Sequence, residues 1–187
     1  MKLLRITDFI IAIISLVCAA PLMSILVLIG FFDTGKPIFQ QSRLGMHQKK
    51  FKIIKFRTMR LDTASLATHL TNPSSITTFG RFLRYSKLDE LPQLWNVLKG
   101  EMSLVGPRPG LANQIELTLA RNKFGVFSVR PGITGLAQVN GIDMSTPDIL
   151  AETDAYMIKT MSLQNYFKYL FLTAKGKGQG DRIKGKL

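Results

Sequence analysis

Residues 9–32 read FIIAIISLVCAAPLMSILVLIGFF, and this stretch decides the fold class because it carries no charged side chain. As one helix, a run of about 24 residues would measure roughly 36 Å, enough to cross the hydrocarbon core of a bilayer. The run is too long for the apolar part of a secretory signal, which spans about 7–15 residues. A plain transmembrane anchor is therefore the simplest interpretation.

Pro21, near the middle of the run, favours a different path. Proline removes a backbone donor and its ring collides with the preceding turn, so we expect the helix to break here. A spanning helix has a one-sided basic flank, but basic residues flank both ends of this run: Lys2, Arg5, Lys36, Arg43, Lys49 and Lys50. A segment that turns back at Pro21 would keep both flanks on the cytoplasmic face. The sequence suggests this re-entrant form and leaves the spanning form open.

The rest of the chain predicts a mainly helical α+β fold. Two extended stretches, 37–43 and 51–59, surround a polar turn and predict a short β-hairpin. Ser86 is expected to cap a helix that reaches residue 98, and Pro92 places the start of that helix close to Asp89. Further helices are expected at 111–124, 151–160 and 162–174.

Three segments follow from this pattern. Residues 1–36 form the re-entrant membrane helix, 37–174 a globular domain, and 175–187 a basic, Gly-rich flexible tail. The last helix, 162–174, alternates large apolar residues with lysine, so it is suited to lie as an interfacial amphipathic helix on the membrane surface.

The formal net charge is +13, from 25 Lys and Arg against 12 Asp and Glu. Such a chain attracts polyanions, namely nucleic acid, anionic lipid headgroups or phosphorylated substrates. The single cysteine excludes a disulfide framework within the chain. The two histidines have no cysteine or histidine near them, so no transition-metal site is indicated.

Asp89 and Glu90 are adjacent carboxylates at an expected helix start. Acids there satisfy unpaired N–H groups and the helix dipole, which is sufficient reason for their presence. In so basic a chain, beside Arg84, they could also bind a divalent cation and a diphosphate, because Mg²⁺ takes carboxylate and phosphate oxygens. A carboxylate can also attack phosphorus and form an acyl phosphate.

Two arginines stand next to prolines. Arg108, in Pro-Arg-Pro, is either a surface turn residue or a guanidinium preset for phosphate. Arg130 begins an Arg-Pro-Gly segment that is either a simple turn or a close approach of backbone to a ligand. Neither segment is a phosphate-binding loop of the ATPase type.

Four stretches together resemble the bacterial sugar transferase family, the monotopic phosphoglycosyl transferases. They are FKIIKFRTM at 51–59, LDELPQLWNVLKGEMS at 88–103, VGPRP at 105–109 and RPGITGLAQVNG at 130–141. Their order and spacing match, and with the segment around Pro21 the resemblance covers nearly the whole chain. The chain is similar to the small members, which consist of the catalytic domain alone.

The resemblance implies transfer of a sugar-1-phosphate from a UDP-sugar to undecaprenyl or another polyprenyl phosphate, with release of UMP. This reaction is the first membrane step of surface glycoconjugate synthesis. It implies a protein of the bacterial inner membrane, with the catalytic domain facing the cytoplasm and Mg²⁺ as cofactor.

The resemblance also implies roles for single residues. Asp89 matches the nucleophile that forms a covalent phosphosugar, and Glu90 matches its partner acid; both would bind Mg²⁺. Pro21 matches the proline that turns the membrane helix back. Substrate binding is implied for five basic residues: Lys55, Arg57, Arg84, Arg108 and Arg130.

Two positions depart from the family pattern. Met157 stands where a tyrosine is common, and Tyr166 stands where an acid is common in the last helix. These departures concern the packing of the C-terminal helices and leave the acid pair untouched.

The alternative is a non-enzymatic, membrane-anchored basic protein that binds anionic lipid or nucleic acid. The charge supports it, but no aromatic-basic motif or recognition helix is present, so no nucleic acid partner is expected. Anionic lipids are expected partners in both cases, and a homo-oligomer stays open. Among donors a UDP-N-acetylamino sugar is favoured, although the family includes galactose and glucose users.

Overall fold

The computed structural model describes residues 2–63 and 73–178 as an α+β fold with one long apolar N-terminal helix. The helices are α1 Lys2–Thr34, α2 Thr78–Ser86, α3 Gln93–Leu98, α4 Ile115–Lys123, α5 Leu136–Val139, α6 Pro147–Lys159 and α7 Leu163–Ala174. The strands are β1 Ile38–Leu44, β2 Lys50–Phe56, β3 Ser103–Val105 and β4 Gly132–Thr134. The predicted fold class is confirmed at this level.

The predicted hairpin is confirmed. Strand β1 pairs antiparallel with β2, from Ile38 opposite Phe56 to Leu44 opposite Lys50. Phe51 and Ile53 are buried from one face of β2, as the alternation in the sequence predicts. The buried amide of Asn96 fastens α3 to this hairpin, since it accepts from Ile54 N at 3.1 Å and donates to Lys52 O at 2.8 Å.

A second, parallel sheet was not predicted. Strands β3 and β4 pair in parallel, with Ser103 opposite Gly132 and Val105 opposite Thr134. The two backbones then cross so closely that a Cβ atom at Gly132 would lie 2.0 Å from Gly106 N. Only glycine fits this crossing, which leads the chain into the segment that carries Arg108.

The helix predicted to start at Ser86 is corrected. Ser86 is the last residue of α2, and its hydroxyl donates to Phe82 O at 2.8 Å. Lys87 follows in the left-handed region at φ 59°, residues 88–90 form a 3₁₀ turn, and α3 begins only at Gln93. The sequence Ser-Lys-Leu-Asp resembles a capping box, but here the serine closes one helix instead of opening the next.

Helix α1 runs from Lys2 to Thr34 without being divided, and Pro21 lies inside it. The predicted break is therefore not found as an interruption of the helix. By length and composition this helix could cross a membrane. Its exposed apolar side chains include Ile6, Ile10, Ile14, Val17, Ile25, Leu28 and Phe32.

The first turns of α1 dock on the globular domain. Asp8, 3% exposed, accepts hydrogen bonds from Ser103 Oγ at 2.8 Å, Leu104 N at 2.9 Å and Tyr166 Oη at 2.8 Å. Arg5 donates to Val97 O at 2.6 Å. An acid at the position of Tyr166 would place a second negative charge against Asp8, so the tyrosine suits this chain.

The last turns of α1 dock on the same domain. Leu26 is buried in a cluster with Phe56 and Leu83, and Thr77 Oγ1 donates to Asp33 Oδ2 at 2.7 Å. Both ends of the helix are therefore fixed to one domain. Residues 16, 20, 23, 24 and 27, between the two docked ends, line an open cavity of about 400 Å³.

The C-terminal helices lie near their predicted positions. Ser162 caps α7 by accepting from Asn165 N, and Leu163, Phe167 and Phe171 form an exposed apolar stripe along it. The chain stays ordered a little beyond α7, since Lys177 N donates to Leu172 O at 3.0 Å. The rest of the predicted tail, from 179 onward, and residues 64–72 of the predicted loop lie outside the described residues.

Candidate active site

The 3₁₀ turn with Asp89 and Glu90 packs against α2 and β2. Leu88 and Leu91, which flank the acid pair, pack on the cluster that contains Leu26 of α1. Lys87 adopts an αL conformation that is uncommon for a residue with a side chain, and this conformation joins α2 to the turn. The acid pair is thus flanked on both sides by leucines of one apolar cluster, to which α1 contributes Leu26.

Glu90 is held as an anion by two cations. Its Oε1 accepts from Lys55 Nζ at 3.0 Å and from Arg108 Nη1 and Nη2, each at 3.2 Å. Burial would raise the pKa of Glu90, but the charges and hydrogen bonds of Lys55 and Arg108 outweigh it and lower this pKa to about 2.

The pKa of Asp89 is shifted in the opposite direction from that of Glu90. Burial and the adjacent charge of Glu90 raise the pKa of Asp89 from 3.8 to about 6, although Lys55, Arg84 and Arg108 act in the opposite direction. Within residues 2–63 and 73–178 its carboxylate accepts no hydrogen bond. In the described part of the chain, the pair therefore combines Glu90, whose Oε1 is engaged by two cations, with Asp89, whose carboxylate accepts no hydrogen bond and has its pKa raised to about 6.

Two further basic residues lie beside the pair. Arg84, from α2, donates through Nε to Thr58 Oγ1 at 2.8 Å. Lys87, which the sequence analysis did not single out, donates to Lys177 O at 2.7 Å, and burial lowers its pKa. The only feature of the sequence that pointed to Lys87 as a site residue was its position two residues before Asp89.

The structure does not bring Arg57 and Arg130 to the acid pair. Arg57 donates to Lys36 O at 2.8 Å and its guanidinium lies over the ring of Phe39. Arg130 donates through Nε to Gly100 O at 2.8 Å. The cations that act on the pKa of Asp89 are Lys55, Arg84 and Arg108. Substrate binding by Arg57 and Arg130 stays a prediction.

The acid pair meets the needs of Mg²⁺ only together with a substrate. No group of three or more His, Cys, Asp or Glu side chains suited to a metal occurs in the described ranges. Mg²⁺ usually binds one or two carboxylates plus substrate phosphates and waters. Asp89 and Glu90 could supply the carboxylate part of such a set.

The chain belongs to the bacterial sugar transferase family, whose pattern it matches over residues 1–178. It is 36% identical to the undecaprenyl-phosphate galactose phosphotransferase of Salmonella typhimurium, over 91% of this chain and 39% of that protein. It is 40% identical to the UDP-glucose:undecaprenyl-phosphate glucose-1-phosphate transferase of Xanthomonas campestris pv. campestris, over 89% of this chain and 37% of that protein. The chain thus spans less than two fifths of either relative.

A relative of similar size also matches. The uncharacterized sugar transferase EpsL of Bacillus subtilis is 37% identical over 94% of this chain and 87% of its own length. Family membership therefore holds for short and long relatives alike, and the resemblance drawn from the four stretches is confirmed.

The unequal carboxylates can be checked by titration. Carboxyl ¹³C shifts of the detergent-solubilised protein should show Asp89 titrating near pH 6, with the signal assigned by its loss in Asp89→Asn. Glu90→Gln should move this pKa downward, because it removes the negative charge that raises it. Titration of Asp89 at its ordinary value near 3.8, unmoved by Glu90→Gln, would contradict the described site.

Proposed function

We propose that this protein transfers a sugar-1-phosphate from a UDP-sugar to undecaprenyl or another polyprenyl phosphate and releases UMP. The observation that carries the proposal is the pair of adjacent carboxylates with opposite pKa shifts, set among Lys55, Arg84 and Arg108 on a turn whose flanking leucines share an apolar cluster with Leu26 of α1. The Salmonella and Xanthomonas relatives are named for reactions of this kind.

In the first half-reaction the Asp89 carboxylate attacks the β-phosphorus of the UDP-sugar. A bond forms between an Asp89 oxygen and phosphorus, and the bond from phosphorus to the bridging oxygen breaks. UMP leaves with that oxygen and its electron pair, and the sugar phosphate stays on Asp89 as an acyl phosphate. Asp89 suits this step because its carboxylate is ionised at neutral pH and makes no hydrogen bond in the described part of the chain.

The residues around Asp89 would offset the negative charge of the diphosphate and of the departing UMP. Lys55 and Arg108 pair with Glu90 and offer donors toward an incoming diphosphate. Mg²⁺, held by Asp89 and Glu90 with diphosphate oxygens, would offset the charge that develops on UMP. Glu90, already anionic and fixed, would keep both cations oriented.

In the second half-reaction a phosphate oxygen of the polyprenyl phosphate attacks the phosphorus of the acyl phosphate. The bond between Asp89 and phosphorus breaks, the carboxylate is regenerated, and a polyprenyl diphosphate sugar is released. No proton has to be taken from the acceptor if its phosphate is dianionic. A site on the membrane helix suits an acceptor whose headgroup lies at the membrane surface.

The donor sugar is an open part of the proposal. The relatives are named for galactose and glucose, so these sugars are candidates here beside the N-acetylamino sugars favoured by the sequence analysis. A panel of UDP-sugars with undecaprenyl phosphate distinguishes them by UMP release.

Asp89→Asn should abolish this UMP release, because an amide is a poor nucleophile and a weak ligand for Mg²⁺. The matched control is Asp148→Asn, which changes an exposed acid in the first turn of α6 and should leave turnover unchanged. Turnover retained in Asp89→Asn would remove Asp89 from the nucleophile role. Absence of UMP release from the wild-type protein with every UDP-sugar would favour the non-enzymatic lipid-binding alternative.

The same proposal includes topology. Arg5 and Asp8 at one end of α1 and Asp33 at the other contact the same globular domain. A helix that crosses a hydrocarbon core of about 30 Å would place its ends on opposite faces. Both ends would therefore lie on the cytoplasmic face of the inner membrane, with the exposed apolar side chains of α1 in contact with the lipid.

Cysteine labelling tests this arrangement. In a Cys18→Ser background, Lys2→Cys should react with a membrane-impermeant thiol reagent only after the inner membrane is opened. Lys99→Cys, on an exposed side chain of the globular domain, is the matched control and should behave identically. Labelling of Lys2→Cys alone in intact spheroplasts would show a spanning helix and overturn the proposed topology.

A further inference from the structure

Residues 106–110, the Gly-Pro-Arg-Pro-Gly segment, are held mainly through their carbonyl groups, with one further bond from Gly106 N to Thr134 O at 2.8 Å. Two of these five residues are prolines, which have no N–H to donate. Each carbonyl nevertheless accepts a hydrogen bond from a different part of the fold: Gly106 O from Gln138 Nε2 at 3.4 Å, Pro107 O from Gly132 N at 2.8 Å, Arg108 O from Arg121 Nη1 at 2.7 Å, Pro109 O from Arg43 Nη1 at 3.2 Å, and Gly110 O from Leu44 N at 3.0 Å.

The bond to the carbonyl of Arg108 comes from a buried guanidinium. Arg121, on α4, is 3% exposed, and its Nη2 donates to Asp154 Oδ2 of α6 at 2.6 Å. Asp154 is fully buried and neutralises the arginine. A buried charge without such a partner would be strongly destabilising, so the two residues act as a unit.

Stability alone gives little reason for this ion pair. Apolar residues of similar volume often replace a buried ion pair without loss of stability. In the described part of the chain, Arg121 Nε and Asp154 Oδ1 have no hydrogen-bond partner, so the pair is also incompletely satisfied. Helices α4 and α6 already pack through a separate apolar cluster that contains Leu117 and Leu150.

We propose that Arg121, neutralised by Asp154, is a positioning residue for Arg108. It fixes the backbone of Arg108, so that the guanidinium of that residue stays 3.2 Å from Glu90 and faces the diphosphate of the donor. The inference rests on the proposed function, because Arg108 acts there on phosphate charge. Misplacement of such a group by about 1 Å can cost on the order of a hundredfold in rate.

The test replaces both members of the pair together, Arg121→Met with Asp154→Leu, so that no buried charge is left alone. The apolar pair should keep the protein folded, with a melting temperature close to that of the wild type. It should lower kcat/KM for the UDP-sugar by about tenfold or more, since Arg108 loses its backbone support. Leu150→Ala is the matched control: it leaves a cavity between the same helices, and should lower the melting temperature while kcat/KM at low temperature stays unchanged.

A double-mutant cycle with Arg108→Ala separates positioning from a general packing effect. If Arg121 acts through Arg108, adding the apolar pair to Arg108→Ala should lower kcat/KM by no more than about a further twofold. Wild-type kcat/KM in the folded apolar pair would overturn the inference. An undiminished tenfold loss in the Arg108→Ala background would overturn it as well, because Arg121 would then act by another route.

Hydrogen exchange at Leu44 and Gly132, whose N–H groups donate to Gly110 O and Pro107 O, reads the positioning of the segment without any turnover. Exchange should be faster in the variant with Arg121→Met and Asp154→Leu than in wild type, and unchanged in Leu150→Ala. Unchanged exchange in the double variant would also overturn the inference. A different outcome is faster exchange in the double variant while the wild-type protein releases no UMP from any UDP-sugar. That result would count against the proposed function, but it would still support the positioning of the Arg108 backbone.

Discussion

The site depends on one oxygen atom. Glu90 Oε1 joins Lys55 of the hairpin to Arg108 of the Pro-Arg-Pro segment, and its residue is covalently next to Asp89. Removing one partner of these partly buried ion pairs would leave a charge unpaired, which costs free energy. While this contact holds, Glu90 stays ionised and raises the pKa of Asp89. The separation of the two carboxylates into an engaged and an available member follows from the burial of Asp89 together with that contact.

Part of this site was predictable from the sequence. The hairpin follows from alternation in 51–56, and the juxtaposition of the acids with Lys55, Arg84 and Arg108 follows from the family resemblance. Strands β3 and β4 were missed because each has only three residues, too few to show a period of two. The role of Ser86 was misread because Ser-Lys-Leu-Asp fits a helix start, while the left-handed Lys87 that ends α2 leaves no mark in composition. The placement of Arg121 against Arg108 depends on the packing of α4 and α6, which local patterns do not encode.

The membrane helix and the active site form one structure. Leu26 of α1 lies in the same cluster as Leu88 and Leu91, and Asp8 binds the start of β3, which leads to the Arg108 segment. The two departures from the family pattern belong to this packing. Tyr166 donates to Asp8, and Met157 Sδ accepts from Leu136 N at 3.1 Å, so both side chains keep polar roles inside the C-terminal core. Under the proposed topology, the position of α1 in the membrane would set the height of Asp89 above it.

The central claim is that Asp89 itself carries the sugar phosphate between the two substrates. The most direct measurement is the intact mass of the protein after mixing with a UDP-sugar and Mg²⁺ in the absence of polyprenyl phosphate. The account predicts a mass gain of one sugar phosphate, located on the peptide that contains Asp89, one equivalent of UMP in solution, and loss of the adduct when the acceptor is added. Release of UMP only in the presence of polyprenyl phosphate, with no adduct at any time, would contradict it.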